Sequence, residues 1–195
     1  MAIRRELLLI IGLILIIAVL IKLIEFFQVN VVEADASKFV MEDLRNKYPG
    51  ADISIMTIIQ KTNPGGAQYF EVKAKVTENP NSPCPERSHI FYNYPAQNFI
   101  PQPAEVITSG CSVCNEGICT IAFSEEAIIA SHTFPGTGAV TSYINSNDAV
   151  SPSAAEKVDT ESWLVKWDAP GALTYYLVNV HRNGTILSVN EVAKP

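Results

Sequence analysis

The chain has 195 residues, 48% of them hydrophobic, with 14 Lys plus Arg against 20 Asp plus Glu. That length admits one domain or two small ones, and the acidic balance excludes the positive footprint that nucleic acid requires. Setting aside Arg4, Arg5, Glu6, Lys22 and Glu25, the remainder carries 11 basic and 18 acidic residues, a net charge of about −7, which also disfavours contact with an anionic lipid surface.

Residues 1–6 form a short tail containing Arg4 and Arg5, and residues 7–27 follow as a nearly unbroken apolar run. At about 1.5 Å rise per residue this run makes a helix roughly 30 Å long, the thickness of a bilayer's hydrocarbon core. Its only charges, Lys22 and Glu25, lie near its downstream end, where a lysine stem can reach the headgroups. The basic flank predicts a cytoplasmic N-terminus and places the chain from about residue 30 outside the cell membrane, as a single-pass signal-anchor protein. The competing reading is a cleaved signal peptide, because Val32 and Ala34 fit a cut before Asp35. The run, however, exceeds the roughly 7–15 apolar residues of a signal core.

Residues 28–35 read as a connector. Asp35 or Ser37 can cap a helix running to about Tyr48, with Val40, Leu44 and Tyr48 repeating every four residues and Phe39 and Met41 widening the stripe. Pro49-Gly50 ends it. A hairpin follows. Ile53, Ile55, Thr57 and Ile59 alternate along one strand, Asn63-Pro64-Gly65-Gly66 turns the chain, and Phe70, Val72, Ala74 and Val76 alternate with polar residues along the next. Residues 36–77 therefore read as one helix-hairpin unit, its helix across the dry face.

Residues 78–123 form a Pro-rich segment that holds all four cysteines. Residues 89–94 suggest a strand with Ile90, Tyr92 and Tyr94 on one side, and residues 95–103 read as extended and irregular. The aromatic run from Phe91 to Phe99 is either a ligand platform or core beneath a loop. Ile118 to Phe123 suggests a short strand after an Asn-Glu-Gly turn. Ser124 is expected to cap a second helix, with Glu125 and Glu126 in its first turn and Ala127, Ile128, Ile129 and Ala130 in its body. Residues 134–158 read as a long loop with at most one short element. Then Trp163, Val165 and Trp167 share a strand face, Tyr176, Val178 and Val180 share another, and Asn183-Gly184 signals a two-residue hairpin before a last strand over 185–192. Residues 124–195 thus read as a helix and a three-stranded antiparallel meander. The expected fold class is α+β: an N-terminal transmembrane helix followed by two helix-plus-antiparallel-sheet units.

Trp163-Leu-Val-Lys-Trp, Tyr175-Tyr-Leu-Val-Asn-Val and Asn183-Gly-Thr-Ile-Leu together resemble a PepSY-type domain, and residues 36–76, with Tyr48-Pro-Gly and Tyr69-Phe-Glu-Val, look like a second, more divergent copy. The resemblance covers about half of the exterior chain and leaves out the cysteine segment. It implies two units of one helix and an antiparallel sheet, no catalytic residues, and a role in binding or inhibiting peptidases in the cell envelope.

Cys84, Cys111, Cys114 and Cys119 are an even set on the outer side of the apolar run, which favours disulfides. Three connectivities exist, one of which joins Cys84 to Cys111 and closes the Asn-Glu-Gly turn with Cys114 and Cys119. The same four thiols can instead bind one tetrahedral zinc ion, with His89 able to replace one of them, or Cys111 and Cys114 can form a redox pair. His132 and His181 read as structural. No metalloprotease, nucleophile-elbow or phosphate-loop motif occurs, and the paired acids lie on helix surfaces or starts, so an enzyme is not expected. Asn183-Gly-Thr is a candidate glycosylation sequon that coincides with the hairpin turn. These features predict a membrane-anchored, non-enzymatic binding or modulator module without a cofactor, whose partner is an envelope protein or peptidase. The alternatives are a zinc or thiol-redox envelope protein using the four cysteines, and a structural surface protein.

Overall fold

The architecture comes from a computed structural model that describes residues 13–20, 32–95, 102–113 and 119–195. The chain divides into two compact units, residues 1–32 and residues 33–195. In the first, residues 13–20 form a helix (α1) with exposed side chains. Among the described residues no helix is long and apolar enough to cross a membrane. Residues 7–12 and 21–27 of the apolar run, and 28–31 of the connector, lie outside the described residues.

The second unit is α+β, with two antiparallel sheets. It opens with α2, Glu33–Lys47, which takes in Glu33, Ala34 and Asp35 from the expected connector. The acidic residues Glu33 and Asp35 fall in its first turn and Arg45 and Lys47 in its last, matching the helix dipole at both ends. Ala36, Val40 and Leu44 are fully buried at a spacing of four, as a one-sided amphipathic helix requires. They cover the first sheet, β1-β2-β3-β4, formed by Asp52–Thr62, Gln68–Glu78, Glu86–Tyr94 and Glu105–Thr108. Phe70, Val72, Ala74 and Val76 of β2 are its buried row.

The simple alternation expected for β1 does not hold. A bulge between Ile55 and Thr57 inserts Met56, so Ile53, Ile55 and Ile58 stand opposite Val76, Ala74 and Val72. The face therefore switches after Ile55, and Ile59 becomes half exposed. On β3, Ile90, Tyr92 and Tyr94 share one side as expected, and their pairing with Ala74, Val72 and Phe70 makes it the side that α2 covers. Tyr92 donates a hydrogen bond to the Asp43 carboxylate, and Phe39 packs on both Tyr92 and Tyr94. Tyr92 and Tyr94 are thus half-buried against α2, at the edge of the first core, while Phe99 lies outside the described residues. Part of the stretch expected to be irregular leads into β4, which pairs with Arg87, Ser88 and His89.

The second half is richer in elements than its composition suggests. Helix α3, Ser124–Thr133, begins one residue after Phe123, not at a Ser124 cap, and the Glu126 carboxylate accepts the N–H groups of Ala122 and Phe123. Residues 119–123 form no strand; Ile121 is instead buried, with its N–H donating to the Arg182 carbonyl. The expected loop over 134–158 contains α4, Gly138–Ser146, and β5, Ser151–Lys157. Strand β5 extends the expected three-stranded meander to four strands, β5-β6-β7-β8, with β6, β7 and β8 at Ser162–Asp168, Thr174–His181 and Ile186–Ala193.

Trp163, Val165, Trp167, Val178 and Val180 form the buried face of this sheet, and Ala127, Ile128 and Ala130 of α3 and Val140 and Tyr143 of α4 pack on it. Both tryptophan N–H groups are satisfied, Trp163 by the Ile121 carbonyl at 3.1 Å and Trp167 by the Ser131 hydroxyl at 2.9 Å. Tyr143 donates to the Thr174 carbonyl and accepts from the Ala169 N–H, fixing α4 to the β6–β7 turn.

The β7–β8 turn also differs from the expected two-residue form. The His181 N–H donates to the Thr185 carbonyl and the Gly184 N–H to the His181 carbonyl, each at 2.8 Å, which encloses Arg182, Asn183 and Gly184. Gly184 has φ +84° and Asn183 stays at negative φ, so this is a three-residue loop with its left-handed position at Gly184. A Cβ at Gly184 would lie 2.9 Å from Cys119 Sγ and 3.0 Å from the Phe134 ring. Gly66 has a similar φ of +82° and open space around it. Gly184→Ala is therefore expected to lower stability by more than Gly66→Ala, whose cost is the roughly 1 kcal/mol of the backbone alone. Denaturant melts of the two variants side by side check this, and equal losses would remove the packing role of Gly184.

Candidate functional site

Helix α3 is apolar almost all round, with Glu125, Ala127, Ile128, Ile129, Ala130 and Ser131 buried, as befits a helix enclosed on several sides. It contacts β5, β6 and β7 of its own sheet, α4, and β4 of the other sheet. Two polar clusters meet it, one at each end.

At its start, Glu125 is buried and oriented toward the first sheet. Its carboxylate accepts from Arg87 at 2.9 Å and from the Thr77 hydroxyl at 2.7 Å, and Lys75 stands 4.0 Å away. The Arg87 guanidinium lies 3.6 Å above the Phe123 ring, and its Nε–H donates to His89 Nε2 at 3.2 Å. The other ring nitrogen of His89 pairs with Glu105, which also binds Lys73. The geometry fixes the tautomer of His89: Nε2 accepts and Nδ1 donates. Burial is the main force holding the His89 pKa below the ordinary value, with Glu105 opposing it and Lys73 and Arg87 adding to it. For Glu125, burial alone would raise the pKa. The hydrogen bonds from Thr77, its own backbone N–H and Arg87 outweigh it and hold the carboxyl below the usual range. Every member of this network is paired to a neighbouring charge or dipole, which gives it the character of a structural clasp.

At the last turn of α3, His132 meets the cysteine segment. Cys84, in the β2–β3 connection, and Cys111, after β4, are joined by a disulfide across 27 residues. Cys111 has φ +59° and follows Gly110 at +60°, within a tight turn closed by a bridge between Ser109 and Ser112. Nε2 of His132 lies 3.4 Å from Cys111 Sγ and 4.0 Å from Cys84 Sγ. Nδ1 lies 3.0 Å from the Ile128 carbonyl oxygen, which can only accept, so Nδ1 carries the proton and the Nε2 lone pair faces the two sulfurs. The ring is further held edge-on by Trp167 at 5.1 Å between centroids. Burial depresses the His132 pKa, and the bond to Ile128 opposes that shift.

Cys119 is disulfide-bonded as well, packed against the second core, while Cys114 and the Asn-Glu-Gly turn lie outside the described residues. His89, considered as a substitute ligand beside Cys84, is turned instead into the Arg87–Glu105 network. His132 has no local sequence signal that marks it: it is 48 residues from Cys84 and 21 from Cys111, and only the packing of α3 brings the three together. His181 accepts the Asn183 N–H at the β7–β8 turn, and Asn183 is exposed with its side-chain oxygen accepting from Thr185.

No family model, curated protein or solved structure matches this chain.

The Arg87–Glu125 pair gives a pH-dependent expectation. A native carboxyl held below its ordinary value of 4.5 stabilises the fold above that value, and the contribution fades as pH falls through the lower native value. Glu125→Gln leaves the buried Arg87 without its charge partner and is expected to cost about 3–5 kcal/mol at pH 7. The gap between wild type and variant should narrow as pH falls below about 4, where wild type loses the same charge. Urea unfolding at stepped pH measures that gap, and a gap constant down to pH 2 would contradict the assignment.

Proposed function

We propose that this chain is a membrane-anchored binding module of the cell envelope, not an enzyme, with residues 7–27 as its anchor and the α+β unit on the outside. The observation that carries the reading is the Cys84–Cys111 disulfide. Disulfides persist in oxidising compartments, and the cysteines all follow an apolar run preceded by Arg4 and Arg5, the basic flank that stays in the cytoplasm. The two helix-on-sheet halves supply rigid sheets whose outer surfaces present both charge and isolated apolar side chains, among them Met56 and Ile59, and Leu173 is exposed in the β6–β7 connection. Such a surface suits a protein partner. The resemblance to PepSY-type domains makes an envelope or secreted peptidase the partner class, and the domain would act by occupying it.

Two readouts on intact cells test this. External protease should remove the unit spanning residues 33–195 while an N-terminal epitope stays protected; protection of that unit until lysis would overturn the topology. A photo-crosslinking residue at Ile59 or Leu173 should yield a discrete adduct with a membrane-bound or secreted peptidase. An ectodomain recovered without any adduct, at both positions, would overturn the binding role.

A further inference from the structure

We infer that Cys84, Cys111 and His132 form a redox-gated zinc site: closed while the two sulfurs are bonded to each other, and a three-ligand set for one Zn²⁺ once they are reduced. The ligand atoms of the three residues all lie within 4.8 Å of one another. That is the compactness a single ion demands, since two Zn–S bonds of about 2.3 Å at the tetrahedral angle place the sulfurs roughly 3.7 Å apart. The imidazole is already prepared as a ligand. Its Nδ1–H is given to the Ile128 carbonyl, its Nε2 lone pair faces the sulfurs, and Trp167 fixes the ring plane. A backbone carbonyl on the far nitrogen is the usual outer support of a zinc-bound histidine.

The ligands come from parts of the fold with independent reasons to stay in place. His132 belongs to a helix anchored in the second core by Ala127, Ile128 and Ala130. Cys84 and Cys111 flank β3 and β4, whose pairing is closed at Arg87 by Thr108: its hydroxyl oxygen accepts the Arg87 N–H and its hydrogen goes to the Pro85 carbonyl, both at 2.8 Å. Loss of the S–S bond therefore leaves three ligands held near one point.

The gating step balances with a dithiol reductant. The reductant supplies two electrons and two protons, the Cys84–Cys111 bond breaks to two thiols, and the reductant leaves as its own disulfide. Zinc then displaces both thiol protons to solvent and binds two thiolates and Nε2. Two thiolates cancel the charge of the ion, and the fourth position stays open to water or to a ligand from outside.

The test uses the full chain in detergent, as Cys114→Ser/Cys119→Ser so that no other cysteine contributes. The probes are Zn²⁺, and Co²⁺ as its spectroscopic substitute. The reduced protein is expected to bind one ion per chain, with a thiolate-to-cobalt charge-transfer band, and the oxidised protein none. Addition of His132→Ala should weaken binding by at least about tenfold. Equal affinity in the oxidised protein, or unchanged affinity and an unchanged cobalt spectrum on loss of His132, would overturn the inference. Loss of near-ultraviolet circular dichroism on reduction, with no recovery when zinc is added, would overturn it too, because the fold would not hold the ligands in the reduced state. These outcomes are independent of cellular topology and of any peptidase partner.

Discussion

The buried pair between Glu125 and Arg87 is the interaction on which the arrangement of the α+β unit depends. It links the first turn of α3 to β3, and through Thr77 and Lys75 to β2, so it joins the helix that underlies one sheet to the polar face of the other. Placing a carboxylate at the N-terminal turn uses the helix dipole to offset part of its desolvation. Two apolar surfaces could slide past each other at little cost. A carboxylate with two directional donors permits one docking position, and the guanidinium seated on the Phe123 ring restricts it further. The same docking sets the direction of α3 and so delivers His132, two turns later, to the disulfide.

Charge on the first sheet is organised around this pair. Along β2 and β3, the side opposite α2 carries Thr77 and Arg87, Lys75 and His89, Lys73 and Phe91 as cross-strand partners. Lys75 reaches Asp52 on β1 and Lys73 reaches Glu105 on β4, so each lysine ties β2 to another strand through an ion pair. The exposed pairs contribute little individually. The buried members carry more weight, since removing either end strands a charge away from water.

The elements that could be read from the sequence are those whose periodicity answers to one buried face. Helix α2 was legible from Val40 and Leu44, β2 from its strict alternation, and β6 and β7 from Trp163, Val165, Trp167, Val178 and Val180, because in each case burial alone fixes the pattern. What stayed hidden was decided by something other than burial. The bulge at Met56 is set by pairing with β2, and an apolar strand such as Ile53 to Ile59 looks the same with or without it. Strand β5, Ser-Pro-Ser-Ala-Ala-Glu-Lys, has almost no intrinsic strand preference and is held by its seven partners on β6. Helix α4 begins at a glycine, with Thr137 before it making no side-chain cap. At the site, the cysteines were visible as a set and Cys84–Cys111 was one of several open pairings. The approach of His132 is a long-range consequence of α3 docking that no local spacing encodes.

The Met56 bulge has a meaning beyond the core it helps to fill. Strand β1 is the longer of the two edge strands of its sheet, and a long, flat outer strand offers its free N–H and C=O groups to any other strand of matching length. Eleven residues, with Ile53, Ile55, Met56, Ile58 and Ile59 among them, would make β1 such a template. The extra residue breaks the even spacing of those groups and increases the local twist, so a second copy cannot pair along the whole strand in one register. An irregularity that first serves to bring Ile58 inward thus also guards the molecule against growing, strand by strand, into a fibre.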